Sequence, residues 1–71
     1  MLNFNKNIIS INNIDKTTYE YILKIETTTY SRIIKSQEDL QTAIKISIKL
    51  IQNYNNPKYD SYIAELKEIL N

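Results

Sequence analysis

Residues 36–54 read SQEDLQTAIKISIKLIQNY, and we interpret them as one long helix. At about 100° per residue, the apolar side chains cover roughly 200° of the helix circumference, against the ~100° stripe of an ordinary surface helix. They are Leu40, Ala43, Ile44, Ile46, Ile48, Leu50, Ile51 and Tyr54. A stripe this wide must be covered on two sides, so we expect this helix between a sheet and another helix.

The start of this helix has its own signals. Ser36 can cap backbone N–H groups, and Asp39 stands three positions later, where a capping box places an acceptor. Taken alone, residues 44–50 also alternate between apolar and polar side chains, as a strand does. The cap and the length without a helix breaker favour a helix over residues 37–54.

Three earlier segments favour β-strands. Apolar and polar residues alternate over about 2–11, with a change of phase at Ile8 that indicates a bend or bulge around residues 5–7. Asn12 and Asn13 are suited to a turn. Residues 17–28 put Tyr19, Tyr21, Leu23 and Ile25 on one face and Glu20, Ile22, Lys24 and Glu26 on the other.

A third strand over 30–35 follows, either after a tight turn near residues 27–29 or as a bent continuation of the second strand. The chain contains no glycine, which argues against a two-residue hairpin turn there. Apolar residues in 15–35 also recur at helical spacing, so an all-α small helical bundle is the alternative fold. Three consecutive threonines at 27–29 oppose that alternative, because β-branched residues disfavour the middle of a helix.

The last segment predicts a second helix over 57–70. Pro57 suits a first helical position and Asn56 can cap it. Tyr59, Tyr62, Ile63, Leu66, Ile69 and Leu70 then fall on one face. The sequence therefore predicts an α+β fold for residues 1–71 as a single compact domain, in which a small two- to three-stranded antiparallel sheet is followed by two helices.

The composition excludes several chemistries. The chain has no cysteine and no histidine, which removes the usual metal centres and the familiar nucleophile and base pairs. Without glycine there is neither a phosphate-binding loop nor a dinucleotide fingerprint. Glu38 and Asp39 point about 100° apart on a helix and suit its positive end better than they suit catalysis. We expect no enzyme activity, no catalytic residue, no metal and no cofactor.

The charge and hydropathy also limit the partners. Nine Lys and Arg against eight Asp and Glu give a net charge of +1, which attracts bulk nucleic acid or an anionic membrane only weakly. No apolar run approaches the ~18 residues of a membrane span, and the N-terminus lacks the pattern of a signal peptide. These features predict a cytoplasmic protein that does not bind membranes.

Candidate contact residues come from two groups of side chains. Lys45 and Lys49 form a like-charged pair on one side of the central helix, which can contact an acidic partner. Tyrosine and arginine are typical of protein interfaces because they bring large contact areas and hydrogen-bonding groups. The predicted partner-binding residues are Tyr19, Glu20, Tyr21, Lys24, Tyr30, Arg32, Lys45 and Lys49.

These observations predict a small protein-binding module that inhibits or regulates a larger protein or protein–nucleic acid complex by occupying its surface. Fourteen isoleucines and nine asparagines are typical of AT-rich coding DNA. Small proteins of this composition are often encoded by phages or other mobile elements, and some inhibit host defence as anti-CRISPRs do. In that case the compartment is the host cytoplasm.

The alternative function is a dimeric DNA-binding regulator. From Tyr30 onward, the predicted order of strand, helix and helix resembles the ribbon-helix-helix class, in which paired strands of a dimer enter the major groove. The resemblance implies that either Tyr30, Arg32 and Ile34 or Ser31, Ile33 and Lys35 face the bases. Direct nucleic acid binding is a weaker expectation, and a homodimer without further activity is a third hypothesis.

Overall fold

The structure is a computed structural model that describes residues 8–70. Three strands come first, followed by two helices joined through a single 3₁₀ turn. The strands are β1 (Ile9–Asn13), β2 (Tyr19–Ile25) and β3 (Thr28–Ile34); the helices are α1 (Gln37–Gln52) and α2 (Asp60–Leu70), with the 3₁₀ turn at Pro57–Tyr59. The α+β fold is therefore confirmed, and the all-α alternative is wrong.

The sheet is an antiparallel meander in the order β1-β2-β3. Leu23 of β2 stands opposite Ile9 of β1 and Tyr30 of β3, so these side chains share one face. This inner face packs on the helices. The other face, called the outer face here, carries Glu20, Ile22 and Lys24 of β2, as the alternation of the sequence predicts.

The first strand and its turn differ from the prediction. The part of the predicted strand before residue 8, including the proposed bulge, lies outside the described residues. Asn12 and Asn13 do not form a turn but end β1, opposite Glu20 and Tyr19. Residues 14–18 connect β1 to β2, and the Asn13 side chain supports this loop by donating to the carbonyl of Asp15.

The β2–β3 connection has only two residues between paired strands, because Ile25 stands opposite Thr28. The expectation that a chain without glycine avoids such a turn is therefore wrong. Glu26 adopts a positive φ of 51°, at a cost of about 1 kcal/mol for a non-glycine residue. Contacts with residues 54 and 59, described below, stabilise this turn.

Helix α1 begins as its sequence predicts. The Ser36 hydroxyl accepts a hydrogen bond from the Asp39 N–H, and the Asp39 carboxylate accepts one of 2.9 Å from the Lys35 N–H. In a standard capping box, the acid would accept from the N–H of the capping residue, here Ser36. Asp39 accepts instead from the N–H of the preceding residue, Lys35, so the box is shifted by one residue. The helix ends at Gln52, and Asn55 takes a positive φ of 50° in the following connection.

The core lies between the inner face of the sheet and α1, which also packs on α2. Its buried hydrophobic residues are Ile9, Tyr21, Leu23, Ile25, Ile34, Ala43, Ile44, Ile48, Ile51, Tyr59 and Leu66. Contacts of α1 with both partners explain its wide apolar stripe. One polar residue, Ser47, is fully buried, and its hydroxyl is hydrogen-bonded to the Tyr21 hydroxyl at 2.7 Å.

The last helix is shorter than predicted. Asn56 caps the chain by accepting from the Lys58 N–H, as expected, but Pro57–Tyr59 form a 3₁₀ turn and α2 follows from Asp60. This turn buries the Tyr59 ring, whose hydroxyl donates a hydrogen bond of 2.8 Å to the Glu26 carboxylate. The Tyr54 hydroxyl donates to the Ile25 carbonyl at 3.2 Å. Two tyrosines from the segment between α1 and α2 thus contact the β2–β3 turn.

Candidate partner-binding groove

A groove of about 720 Å³ lies at the end of the sheet where the 14–18 loop connects β1 and β2. We call it the loop-end groove. Its apolar lining comes from Ile11, Tyr19, Ile34, Leu40, Ile44 and Ile69. These side chains belong to all three strands and both helices, so the groove exists only in the folded chain. Its polar lining residues are Asn13, Lys16, Thr17, Lys35, Ser36, Gln37 and Gln41.

The loop beside the groove is held by its own hydrogen bonds. The Asp15 carboxylate accepts from the Thr17 N–H at 3.0 Å, and the Ile14 N–H donates to the Thr18 carbonyl at 2.9 Å. Such an Asx turn fixes the backbone locally. The loop therefore presents the exposed side chains of Ile14 and Lys16 on an ordered backbone.

Exposed apolar side chains gather at this end of the molecule. Ile14, Tyr19 and Ile33 are 56%, 41% and 47% exposed. Tyr19 stands opposite Asn13 and Ile34, the last residues of β1 and β3, and Ile33 stands opposite the next residue of β2, Glu20. Isolated exposed apolar residues are ordinary, but Ile14 and Tyr19 together beside an apolar groove are a mark of a contact surface. Ile33 lies on the outer face of the sheet.

The carboxylates and the ammonium groups around the groove differ in their hydrogen bonding. A backbone hydrogen bond from Thr17 lowers the pKa of Asp15, and one from Lys35 lowers the pKa of Asp39. Both carboxylates thus accept hydrogen bonds from backbone N–H groups, which favour their charged forms. Within residues 8–70, the ammonium groups of Lys16 and Lys35 make no hydrogen bond or ion pair, although Lys35 acts on Asp15 electrostatically. The groove therefore offers two available positive charges beside apolar walls.

Two of the predicted contact residues occupy very different sites. Tyr19 lines the loop-end groove and is exposed. Tyr21, two residues later on the same face, is fully buried and bound to Ser47. Burial raises the pKa of Tyr21 to about 12. Tyr21 is thus part of the core and not of a contact surface, because α1 covers the middle of β2.

Tyr30 and Arg32 also lie on the inner face. The Tyr30 ring packs edge to face on Tyr21, with centroids 6.3 Å apart. Its hydroxyl is buried and has no hydrogen-bond partner among the described residues. Arg32 stands opposite Tyr21 and is half-buried, and its charge contributes to the lowered pKa of Asp39. Tyr30 and Arg32, both predicted as contact residues, are therefore half-buried on the face of the sheet that packs on the helices.

The remaining predicted residues are divided between two surfaces. Glu20 and Lys24 lie on the outer face of the sheet, with Ile22 between them. Lys45 and Lys49 are exposed on α1, away from the core side that carries Ala43 and Ser47. The eight predicted residues thus do not form one site.

The groove contains residues that the sequence interpretation did not single out. In the sequence analysis Leu40 and Ile69 are apolar residues of the two helices, Lys35 belongs to one possible DNA-facing set, and Lys16 has no role. The signal that could have found them is the position of Leu40 and Lys35 around the start of α1, next to the end of the last predicted strand. The contribution of α2 was not accessible from spacing, because it depends on the angle at which α2 packs on α1.

Residues 8–70 contain neither a cluster of metal-ligating side chains nor a membrane-spanning helix. No group of three or more His, Cys, Asp or Glu side chains there is placed to hold a metal ion. No helix in that range is long and apolar enough to cross a bilayer.

Comparison of the chain with protein-family models, with curated proteins and with solved structures finds no match. Any statement about function must therefore come from the residues themselves.

Proposed function

We propose that this protein is a binding module that recognises another protein through the loop-end groove. The observation that carries the proposal is the combination of an apolar groove of about 720 Å³ with the ammonium-bearing side chains of Lys16 and Lys35 in its lining. The volume lies within the range of about 300–1,000 Å³ that is usual for binding pockets. The proposal assigns no reaction to the chain, which lacks histidine and cysteine.

The shape and lining favour a short amphipathic segment of a partner as the occupant. Tyr19 is exposed at one wall and Leu40 is half-buried at another, so an apolar side chain that enters between them loses contact with water on both sides. Each buried methylene group of such a side chain contributes about 0.8 kcal/mol. Aromatic residues such as Tyr19 are typical anchors of interfaces of this kind.

The charges favour an acidic segment over a basic one. Lys16 and Lys35 line the groove and attract carboxylates, whereas Asp15 and Asp39 are not among its lining residues. Complementary charge guides encounter and discriminates between partners more than it adds affinity. The preferred occupant is therefore a segment with apolar side chains flanked by Asp or Glu. That the partner belongs to a host defence complex stays a prediction from composition.

The test is capture of proteins from an extract of the cells in which the gene is expressed. The immobilised wild type is compared with the double variant Lys16→Glu, Lys35→Glu. The matched control is Lys45→Glu, Lys49→Glu, which makes the same change in charge on the outer side of α1. We expect a protein that is captured by the wild type and the control but not by the groove variant.

Two results would contradict the proposal. Loss of capture in the α1 variant with full capture in the groove variant would move the contact to α1. Recovery of nucleic acid without any specific protein would favour the alternative function. Circular dichroism of each variant establishes that it is folded before capture is compared.

The DNA-binding alternative has one feature in its favour, the order β3, α1, α2 from Thr28 onward. The outer side of β3, however, presents Thr29, Ser31 and Ile33, with no basic or amide side chain to read base edges. Tyr30 and Arg32 point toward the helices. A mobility-shift assay at low salt tests this alternative, and a shift at micromolar protein would revive it.

A further inference from the structure

The outer face of the sheet carries an arrangement of side chains that is complementary to itself. Three rows cross the strands. The middle row is Ser10, Ile22 and Ser31, and the row nearer the loop end is Asn12, Glu20 and Ile33. The third row includes Lys24 and Thr29. The central strand therefore presents an acid, an isoleucine and a lysine in equal steps.

This face is open in the structure. Lys24, Thr29, Ser31 and Ile33 are exposed, and Ser10, Glu20 and Ile22 are half-buried. Both neighbours of Ile22 across the strands are serines, whose small side chains leave the isoleucine as the highest apolar point of the middle row. A partner surface with an apolar centre of its own can cover Ile22.

We propose that a second copy of this chain packs face to face on the outer face of the sheet, with the two β2 strands antiparallel. The two-fold axis then lies along the middle row, so Ile22 meets Ile22 of the second copy and Glu20 lies over Lys24. Ile33 lies over Thr29. Such an isologous contact is the commonest form of protein dimer.

The charges distinguish this arrangement from the other two-fold packing of the same faces. If the axis ran along the strands, the β2 strands would be parallel and Glu20 would oppose Glu20, while Lys24 would oppose Lys24. Like charges directly opposite one another are destabilising. The alternation of acid, isoleucine and lysine thus selects the antiparallel dimer.

The size of the face sets the expected strength. Seven-residue strands at ~3.4 Å per residue, spaced ~4.8 Å apart, give a face about 24 Å long and about 14 Å wide. That area is below the roughly 800 Å² per partner of a standard stable interface. We therefore infer a weak dimer that forms and dissociates with protein concentration. It leaves the loop-end groove free on the helix side, and it does not depend on the proposed function.

Sedimentation velocity over a concentration series at low salt tests the dimer. We expect the single variants Glu20→Lys and Lys24→Glu each to raise the dissociation constant by about tenfold, because each places two like-charged pairs in the contact. The double variant Glu20→Lys, Lys24→Glu exchanges the charges and restores the wild-type association. The matched control Lys49→Glu, on α1, leaves it unchanged.

A second measurement does not depend on charge. The chain has no cysteine, so a variant such as Ser31→Cys has a single thiol. Position 31 lies on the two-fold axis, and packed sheets are ~10 Å apart, within reach of a short bismaleimide. We expect cross-linked dimers for Ser31→Cys and none for Lys49→Cys, because Lys49 is exposed on α1, which packs on the inner face of the sheet.

Three results would overturn the dimer. The first is a monomer at every concentration together with no cross-link. The second is an association that the single charge reversals do not weaken. The third is a double variant that does not regain the wild-type association. Dimerisation through the edge strand β3 would give the second result. Thermal unfolding of each variant separates loss of association from loss of folding.

Discussion

The Tyr59 hydroxyl donates a hydrogen bond of 2.8 Å to the carboxylate of Glu26, the residue that turns the chain between β2 and β3. The hydrogen bond with Glu26 raises the pKa of Tyr59 to about 12. A glycine-free turn with a positive φ at Glu26 is thus stabilised from outside by a side chain of the 3₁₀ turn.

Removal of this hydroxyl in Tyr59→Phe is expected to lower the midpoint of thermal unfolding by several degrees, because the hydrogen bond to the turn is lost. The matched control is Tyr62→Phe, since Tyr62 packs on Tyr59 but its hydroxyl makes no hydrogen bond with any of residues 8–70. Calorimetry of both variants measures the difference. Equal effects of the two substitutions would mean that the bond to Glu26 adds nothing.

The pair formed by Tyr21 and Ser47 is expected to show strong coupling in a double-mutant cycle. Ser47→Ala leaves the buried Tyr21 hydroxyl without its partner and should cost about 1–3 kcal/mol. Tyr21→Phe should cost only about 1 kcal/mol, since the Ser47 hydroxyl still donates to the Ala43 carbonyl at 2.8 Å. The double variant should be more stable than Ser47→Ala alone. Additive losses in urea unfolding would contradict this account.

The stability of the protein is expected to fall in alkaline solution. Burial raises the pKa of Tyr21, and the bond to Glu26 raises that of Tyr59, each to about 12. Because the folded pKa lies above the unfolded value of about 10, this stabilisation is complete below pH ~10 and is lost as the pH rises toward ~12. Ultraviolet titration of the wild type, compared with Tyr21→Phe and Tyr59→Phe, should place the ionisation of these two residues near pH 12. Ionisation of Tyr21 and Tyr59 near pH 10 in the folded protein would refute the prediction.

The start of α1 should be sensitive to acid. The hydrogen bond from the Lys35 N–H lowers the pKa of Asp39 below its ordinary 3.8, so this stabilisation is present above that value and is lost as the pH falls through the folded pKa. In Asp39→Ala, the free energy of unfolding should therefore decrease less than in the wild type as the pH falls. Glu38→Ala, in the same helical turn, is the control, and an identical pH profile for the two variants would rule the effect out.

Much of the fold was predictable because local signals and packing agree. The alternation from Tyr19 to Ile25 matches the inner and outer faces, and Ser36 with Asp39 marks the start of α1. Asn56 and Pro57 mark the beginning of the last helical region. In each case, a preference that operates over a few residues points to the same structure as burial does.

The errors arise where distant residues outweigh a local preference. A chain without glycine gives no sign that Glu26 adopts a positive φ, because the support comes from Tyr59. Ser47 looks like a solvent residue in the alternating segment 44–50, and only the neighbouring strand shows why a hydroxyl is accommodated there. The loop-end groove needs the relative placement of all three strands and both helices, which periodicity does not contain.

The connection between Glu26 and Tyr59 also has a consequence for the order of events during synthesis. The ribosome adds the tyrosine 33 residues after the turn it stabilises, which takes roughly 2–7 s at typical rates of about 5–20 residues per second. During that interval the β2–β3 turn exists without its support. The β2–β3 turn is therefore synthesised early but gains its hydrogen bond from Tyr59 late. A nascent chain that stops before Tyr59 never forms this hydrogen bond.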